Sequence, residues 1–192
     1  MHLKGRRVET QLPDEYTRVT NPERFRPLHD FARNFFERLA NEYDVIESSE
    51  FELVPIIMQR FDYARPPITL TPQAREEAPI SVAFTPFPSL VLRCGKFFSE
   101  PFPVCACDGC GRNADEEVDR LQRVLNPVIA GEFLEQVQLP LFGNAHVTYR
   151  LGRIDAPHGL ASGGSQVARS EARKLRRAGF ERIQWAPWSK RT

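Results

Sequence analysis

The 192-residue sequence has only four cysteines, four histidines, two tryptophans and two methionines, and it has neither a long apolar run nor a strong charge of either sign. Each shortage removes a class of protein. Four cysteines are too few for a disulfide-dense secreted scaffold, and the opening MHLKGRRVETQLPDEY has basic residues with no apolar stretch behind them. The expectation is therefore a cytoplasmic chain with free or metal-bound thiols. No uninterrupted apolar run approaches the ~20 residues that span a bilayer, so a membrane is not expected as a partner. The net charge of +1 argues against coating nucleic acid or an anionic surface with the whole molecule, but leaves room for a local patch. His2, His29, His146 and His158 show no H-E-x-x-H or related pairing, so no hydrolase constellation is visible.

What is present suffices for one sizeable core: 41% of the residues are hydrophobic. A single domain over residues 1–192 is expected, with 1–19 a loosely packed N-terminal segment. Thr20-Asn21-Pro22-Glu23 reads as a helix entrance. Leu28, Phe31, Ala32, Phe35, Leu39 and Tyr43 then recur at helical spacing, which predicts a helix from Pro27 to Tyr43. A short strand near Val45 and a helical turn from Ile56 to Phe61 follow, ended by Arg65-Pro66-Pro67. The runs ITLTP, PISVAFTPF, SLVLRCG and KFFSEPF predict an antiparallel meander, with Cys94 on the face of Leu90 and Leu92.

Asn113 and Glu116 form a capping signature for a second helix carrying Val118, Leu121, Val124, Leu125 and Val128 inward, kinked or ended at Asn126-Pro127. Two strands around Gly143-Asn144, a flexible loop HGLASGGSQ, a last helix ending at Gly179, and a strand in RIQWAPW complete the chain. Strands clustered between helices predict α+β, with a mainly antiparallel sheet of about five to seven strands and three main helices.

The stretches TNPERFRPLH (20–29), ISVAFTPFPSLVLR (80–93), EPFPVCACDGC (100–110) and QWAPW (184–188) resemble a family of bacterial proteins defined only as a domain of unknown function. The resemblance covers most of the chain. It implies a small soluble bacterial domain, and it carries no activity, ligand or catalytic residue.

The strongest chemical signature is PVCACDGCG, which sets Cys105, Cys107 and Cys110 around Asp108. Three thiolates from one turn can supply three of the four ligands of a tetrahedral zinc, with Asp108, His29 or His146 as candidates for the fourth. Cys94 belongs to the core instead, because the strand after the Gly95-Lys96 hairpin carries the chain away from it. The double C-x₂-C pattern of a zinc site is absent, so inert thiols in a turn rank first, a metal clip second and thiol chemistry third. No metal is favoured, and no structural zinc is needed for folding; zinc is the candidate cofactor if one is held. Asp115, Glu116, Glu117 and Asp119 suit the positive end of a helix without any ion. GLASGGS lacks the lysine and hydroxyl of a phosphate cradle, and Leu160 stands where a nucleophile elbow at Ser162 requires glycine.

Charge is unevenly distributed. Residues 165–192 hold eight cations against two acids, a net +6, leaving −5 on the rest of the chain. With Trp185 and Trp188 nearby, this segment is a candidate surface for an acidic protein or nucleic acid. Against that reading, cations late in a helix suit its negative end, and alternation with Gln184 reads Trp185 as a buried strand residue. The function expected from sequence is thus binding of an acidic partner rather than catalysis, and the alternative is a metal- or thiol-dependent enzyme or regulator centred on the CxCxxC turn.

Overall fold

The computed structural model describes residues 13–51, 62–153 and 161–192. His2, His158 and the turn expected at Ile56–Phe61 lie outside them. The α+β class expected from sequence is observed, and the strands divide between two antiparallel sheets.

The first helix, α1 (Arg26–Glu42), follows a 3₁₀ turn at Pro22–Phe25. Pro22 enters that turn where a missing N–H costs nothing. The helix buries Leu28, Ala32, Phe35, Phe36 and Leu39 along one stripe, with Phe31 at its half-buried edge. It faces a meander of β1 (Val45–Ser48), β2 (Arg65–Pro72), β3 (Ile80–Phe84), β4 (Leu90–Cys94) and β5 (Phe98–Phe102), ordered β1-β2-β3-β4-β5. Central β3 is buried at every position, as a strand covered on both faces must be. Arg65-Pro66-Pro67 does not break the chain before this sheet but opens β2. The cost of proline there is a register irregularity between Arg65 and Ile68 in the pairing with β3.

Helix α2 (Ala114–Ile129) is capped as expected: the Asn113 side chain accepts the Glu116 backbone N–H at 2.9 Å. It runs through Pro127 rather than stopping there. Because the helix ends two residues later, the proline removes one hydrogen bond from the last turn and breaks nothing beyond it.

The second sheet contains β6 (Phe133–Gln138), β7 (Ala145–Leu151), β8 (Ala161–Val167) and β9 (Arg182–Gln184), ordered β8-β7-β6-β9, with α3 (Arg169–Arg177) between the last two in sequence. Strand β8 corrects the reading of HGLASGGSQ as a flexible loop from Ala161 onward, the first three residues lying outside the described ones. It pairs with β7 without interruption from Ala145↔Val167 to Leu151↔Ala161. Its glycines serve close approach rather than freedom, since a Cβ on Gly163 would stand 2.5 Å from the Tyr149 hydroxyl.

The sheets meet in one core. Phe98 of β5 packs edge-on against Phe133 of β6 and Tyr149 of β7, at centroid distances of 6.4 and 4.8 Å. At the same junction Glu135 of β6, fully buried, accepts the backbone N–H groups of Lys96, Phe97 and Phe98 at 2.8, 2.6 and 3.0 Å. A small second cluster, Val137, Ala145, Val147 and Ala172, seats α3 on β6 and β7.

Candidate metal centre

The CxCxxC turn lies between β5 and α2. After β5 the chain passes Cys105 and Ala106, folds Asp108–Cys110 into one 3₁₀ turn, and leaves through Gly111 at φ +60°. That conformation costs a glycine little. This tight path converges the three sulfurs: Cys105 Sγ and Cys110 Sγ each lie 3.2 Å from Cys107 Sγ, and all three fall within 4.8 Å of one another. Cys107 is buried, Cys105 half-buried and Cys110 exposed, so the group opens to solvent on one side.

The N-terminal segment clamps the turn. Tyr16 lies over Gly109 so closely that a Cβ there would meet its ring at 2.9 Å. The Asp108 N–H donates to the Arg18 carbonyl at 2.9 Å. Arg24 donates to the Ala106 and Cys107 carbonyls at 2.7 and 3.2 Å and to Asp108 Oδ1 at 3.4 Å. Thr20 donates its backbone N–H and its hydroxyl to the same oxygen, and Arg18 Nε reaches Oδ2 at 3.4 Å. Residues 13–19 are exposed one by one, yet through these contacts the segment supports the cysteine turn.

Thiol acidity is uneven across the group. The Cys107 backbone N–H, followed by the Cys107 and Cys110 thiols, pulls the Cys105 thiol below its ordinary range. Cys110 is pushed up to about 12, with its contacts to Cys107 and then Cys105 as the largest causes.

The candidates expected from sequence separate clearly. Cys105, Cys107 and Cys110 come together, and Cys94 is fully buried in the core, where desolvation raises its thiol well above the ordinary range. Asp108, proposed as a fourth ligand, spends its carboxylate on Thr20, Arg18 and Arg24 and is not part of the sulfur group. His29 is buried in the core, its Nε2 2.9 Å from the Ser89 carbonyl and its ring edge-on to Phe84. His146 sits on β7. Neither histidine is in the sulfur group.

The C-terminal expectation is partly corrected. Arg173, Lys174, Arg176 and Arg177 are exposed on α3, but Trp185 and Trp188 are buried. Their indoles donate to Glu135 Oε2 and to the Ala78 carbonyl, each at 2.9 Å. Alternation with Gln184 turns Trp185 into the core, so neither tryptophan forms a surface with the cations.

Sequence reasoning missed the clamp. Arg24 and Asp108 are 84 positions apart, and nothing local marks either as a partner of the other. The reach of Tyr16 onto Gly109 likewise has no signature in spacing.

The fold and site together define an α+β domain of two antiparallel sheets that displays a three-cysteine turn. Residues 5–192 match the Family of unknown function (DUF6226), and the chain belongs to that family. No curated protein and no solved structure matches it.

Proposed function

We propose that the CxCxxC turn is a thiolate clip that holds one zinc ion through Cys105, Cys107 and Cys110, with the fourth position left to a ligand from outside the turn. The observation that carries this reading is the convergence of three sulfurs within 4.8 Å on a clamped turn. Zinc bonds to thiolate at ~2.3 Å in tetrahedral geometry, which sets neighbouring sulfurs about 3.8 Å apart. The two 3.2 Å contacts need to open by only about half an ångström to accept it. Cys105, already acidified, supplies the first thiolate, and the ion itself drives off the remaining thiol protons. The clamp from Tyr16, Thr20 and Arg24 holds the backbone of the turn in place, which lowers the cost of gathering the ligands.

An open position distinguishes this arrangement from a closed structural site, which takes four protein ligands. The reading is thus a metal-binding function in which the clip presents its ion to a ligand, rather than a zinc staple for the fold. Cobalt titration of the reduced protein tests it. A thiolate-to-cobalt charge-transfer band saturating at about one equivalent, displaced by zinc and abolished in Cys107→Ser, is the expected result. A reduced protein that takes up neither ion, or uptake unaffected by Cys107→Ser, overturns it.

A further inference from the structure

The hairpin between β6 and β7 ends in Leu139-Pro140-Leu141-Phe142-Gly143-Asn144; Leu139 packs on the small core, while the other two large apolar side chains point away from the protein, Leu141 being 89% and Phe142 90% exposed. No other large apolar residue described here is exposed beyond 60%. Scattered exposed apolar residues are ordinary, but two adjacent ones at a protruding tip are a feature to be explained. The tip is also ordered by an unusual contact. Arg169, the first residue of α3, donates from Nη1 to the carbonyls of Pro140 and Gly143 at 2.9 and 2.8 Å, and its Nη2 lies 3.5 Å from the Leu141 carbonyl.

Cations continue from that anchor. Arg173 and Arg177 follow Arg169 at four-residue intervals on the same stripe of α3, while Ala172 and Leu175 turn into the small core beneath. At the base of the hairpin a cleft of about 750 Å³ is lined by Gln138, Pro140, His146, Arg176 and Arg182, with Glu181 held by Arg176. From Gln136 to Arg150 the sequence contains no acidic residue.

We propose that this tip is a docking finger for an anionic phospholipid surface, with Leu141 and Phe142 entering the headgroup region and Arg173, Arg177 and Arg182 facing the phosphates. Three features favour lipid over a protein partner. Two side chains are too few for the core of a standard protein interface, which takes roughly 800 Å² from each partner, but they suffice as a wedge when electrostatic attraction does the rest. Three of the tip carbonyls, those of Pro140, Leu141 and Gly143, have a partner in Arg169, as backbone leaving water requires. Arg169 touches the tip itself, Arg173 follows it by one helical turn, and Arg182 shares the cleft at the hairpin base with Pro140, so the line of cations starts at the tip. The overall charge of +1 speaks against whole-surface coating and leaves this local patch intact. This inference is independent of the metal clip.

Co-sedimentation of the full chain with vesicles tests it, using phosphatidylcholine alone and an equal mixture of phosphatidylcholine and phosphatidylglycerol. Binding is expected only to the mixed vesicles, falling as salt is raised. Phe142→Ser combined with Leu141→Ser should weaken it about tenfold or more, and Arg173→Glu with Arg177→Glu should do the same. Because all four side chains are exposed, unchanged circular dichroism and thermal midpoint are expected for both variants. Absence of binding to mixed vesicles at low salt overturns the proposal. So does vesicle binding that survives Leu141→Ser/Phe142→Ser, which would reduce the patch to unspecific charge. Concentration-dependent self-association abolished by that double variant, without vesicle binding, would assign the tip to a second copy and also overturn it.

Discussion

Asp108 and Thr20 are joined twice: Asp108 Oδ1 accepts the Thr20 backbone N–H at 3.0 Å and its hydroxyl at 3.2 Å. The bond ties the cysteine turn to a segment 88 residues earlier. That backbone N–H is the largest cause holding the Asp108 carboxyl below its usual range, with the Thr20 hydroxyl, Arg18 and Arg24 adding to it. A depressed carboxyl stabilises its contacts above the ordinary carboxylate range, and the contribution is lost as pH falls through the lower folded value. Amide protection factors across residues 13–25, corrected for the intrinsic pH dependence of exchange, should therefore be higher at neutral pH and fall in acid. In Asp108→Ala protection should be low at both. Since Asp108 is not a sulfur-group ligand, that variant should keep the cobalt charge-transfer band while binding the ion more weakly.

Metal affinity should depend steeply on pH. Protons compete with the ion for sulfur, so affinity falls as pH is lowered. Cys110 is pushed up to about 12 and must lose its proton to bind, whereas Cys105 is already acidified. Cys105→Ser should consequently lose the thiolate that is ready first. Cys110→Ser should retain a two-sulfur site with a shallower pH dependence. Cobalt isotherms collected at several pH values read both slopes.

Glu135 is the junction between the sheets, and Glu135→Ala should destabilise the protein by about 2–5 kcal/mol, because four N–H donors lose their acceptor in a buried site. Burial pushes the Glu135 carboxyl up, against the pull of those donors. A raised carboxyl takes up its proton more readily folded than unfolded. Its contribution is therefore full below the unfolded value and declines as pH rises through the folded one. The difference in unfolding free energy between the native chain and Glu135→Ala, measured by urea titration, should narrow over that rise.

Leu121 of α2 is fully buried, and Leu121→Ala should cost ~2–5 kcal/mol through lost burial and the cavity left behind. An unchanged thermal midpoint would contradict the packing of α2 onto the core.

Gly163→Val should unseat β8, because even a Cβ at that position meets the Tyr149 ring and hydroxyl. Faster amide exchange across residues 161–167, with the meander unaffected, is the expected signature. Removing the ring in Tyr149→Ala should partly rescue the variant.

Much of the architecture was legible because it is written in local periodicity. The stripe of α1, the Asn113 cap and the meander from β2 to β5 each follow from residues within one or two turns of each other. Of the helical apolar positions those patterns mark, Phe31, Tyr43 and Val118 remain half-buried, at the edges or the end of a stripe. Glycine-rich β8 was misread for the same reason. Gly163 and Gly164 resemble a loop until the partner strand brings Tyr149 and Val147 against them.

The sequence by itself determined the class of fold, the faces each helix buries, the place of Cys94 in the core and the three cysteines as the chief chemical signature. Those follow from spacing and hydrophobicity, which act between near neighbours. Only the tertiary structure decided that the strands form two sheets pinned by Glu135, that both tryptophans are interior, and that Asp108 serves the clamp rather than the sulfurs. It also decided that the tip at Leu141 and Phe142 is held by Arg169, the first residue of α3. These are pairings between residues far apart in the chain, where the partner that satisfies a buried donor or a charge is set by how the sheets pack and leaves no trace in either residue's own surroundings.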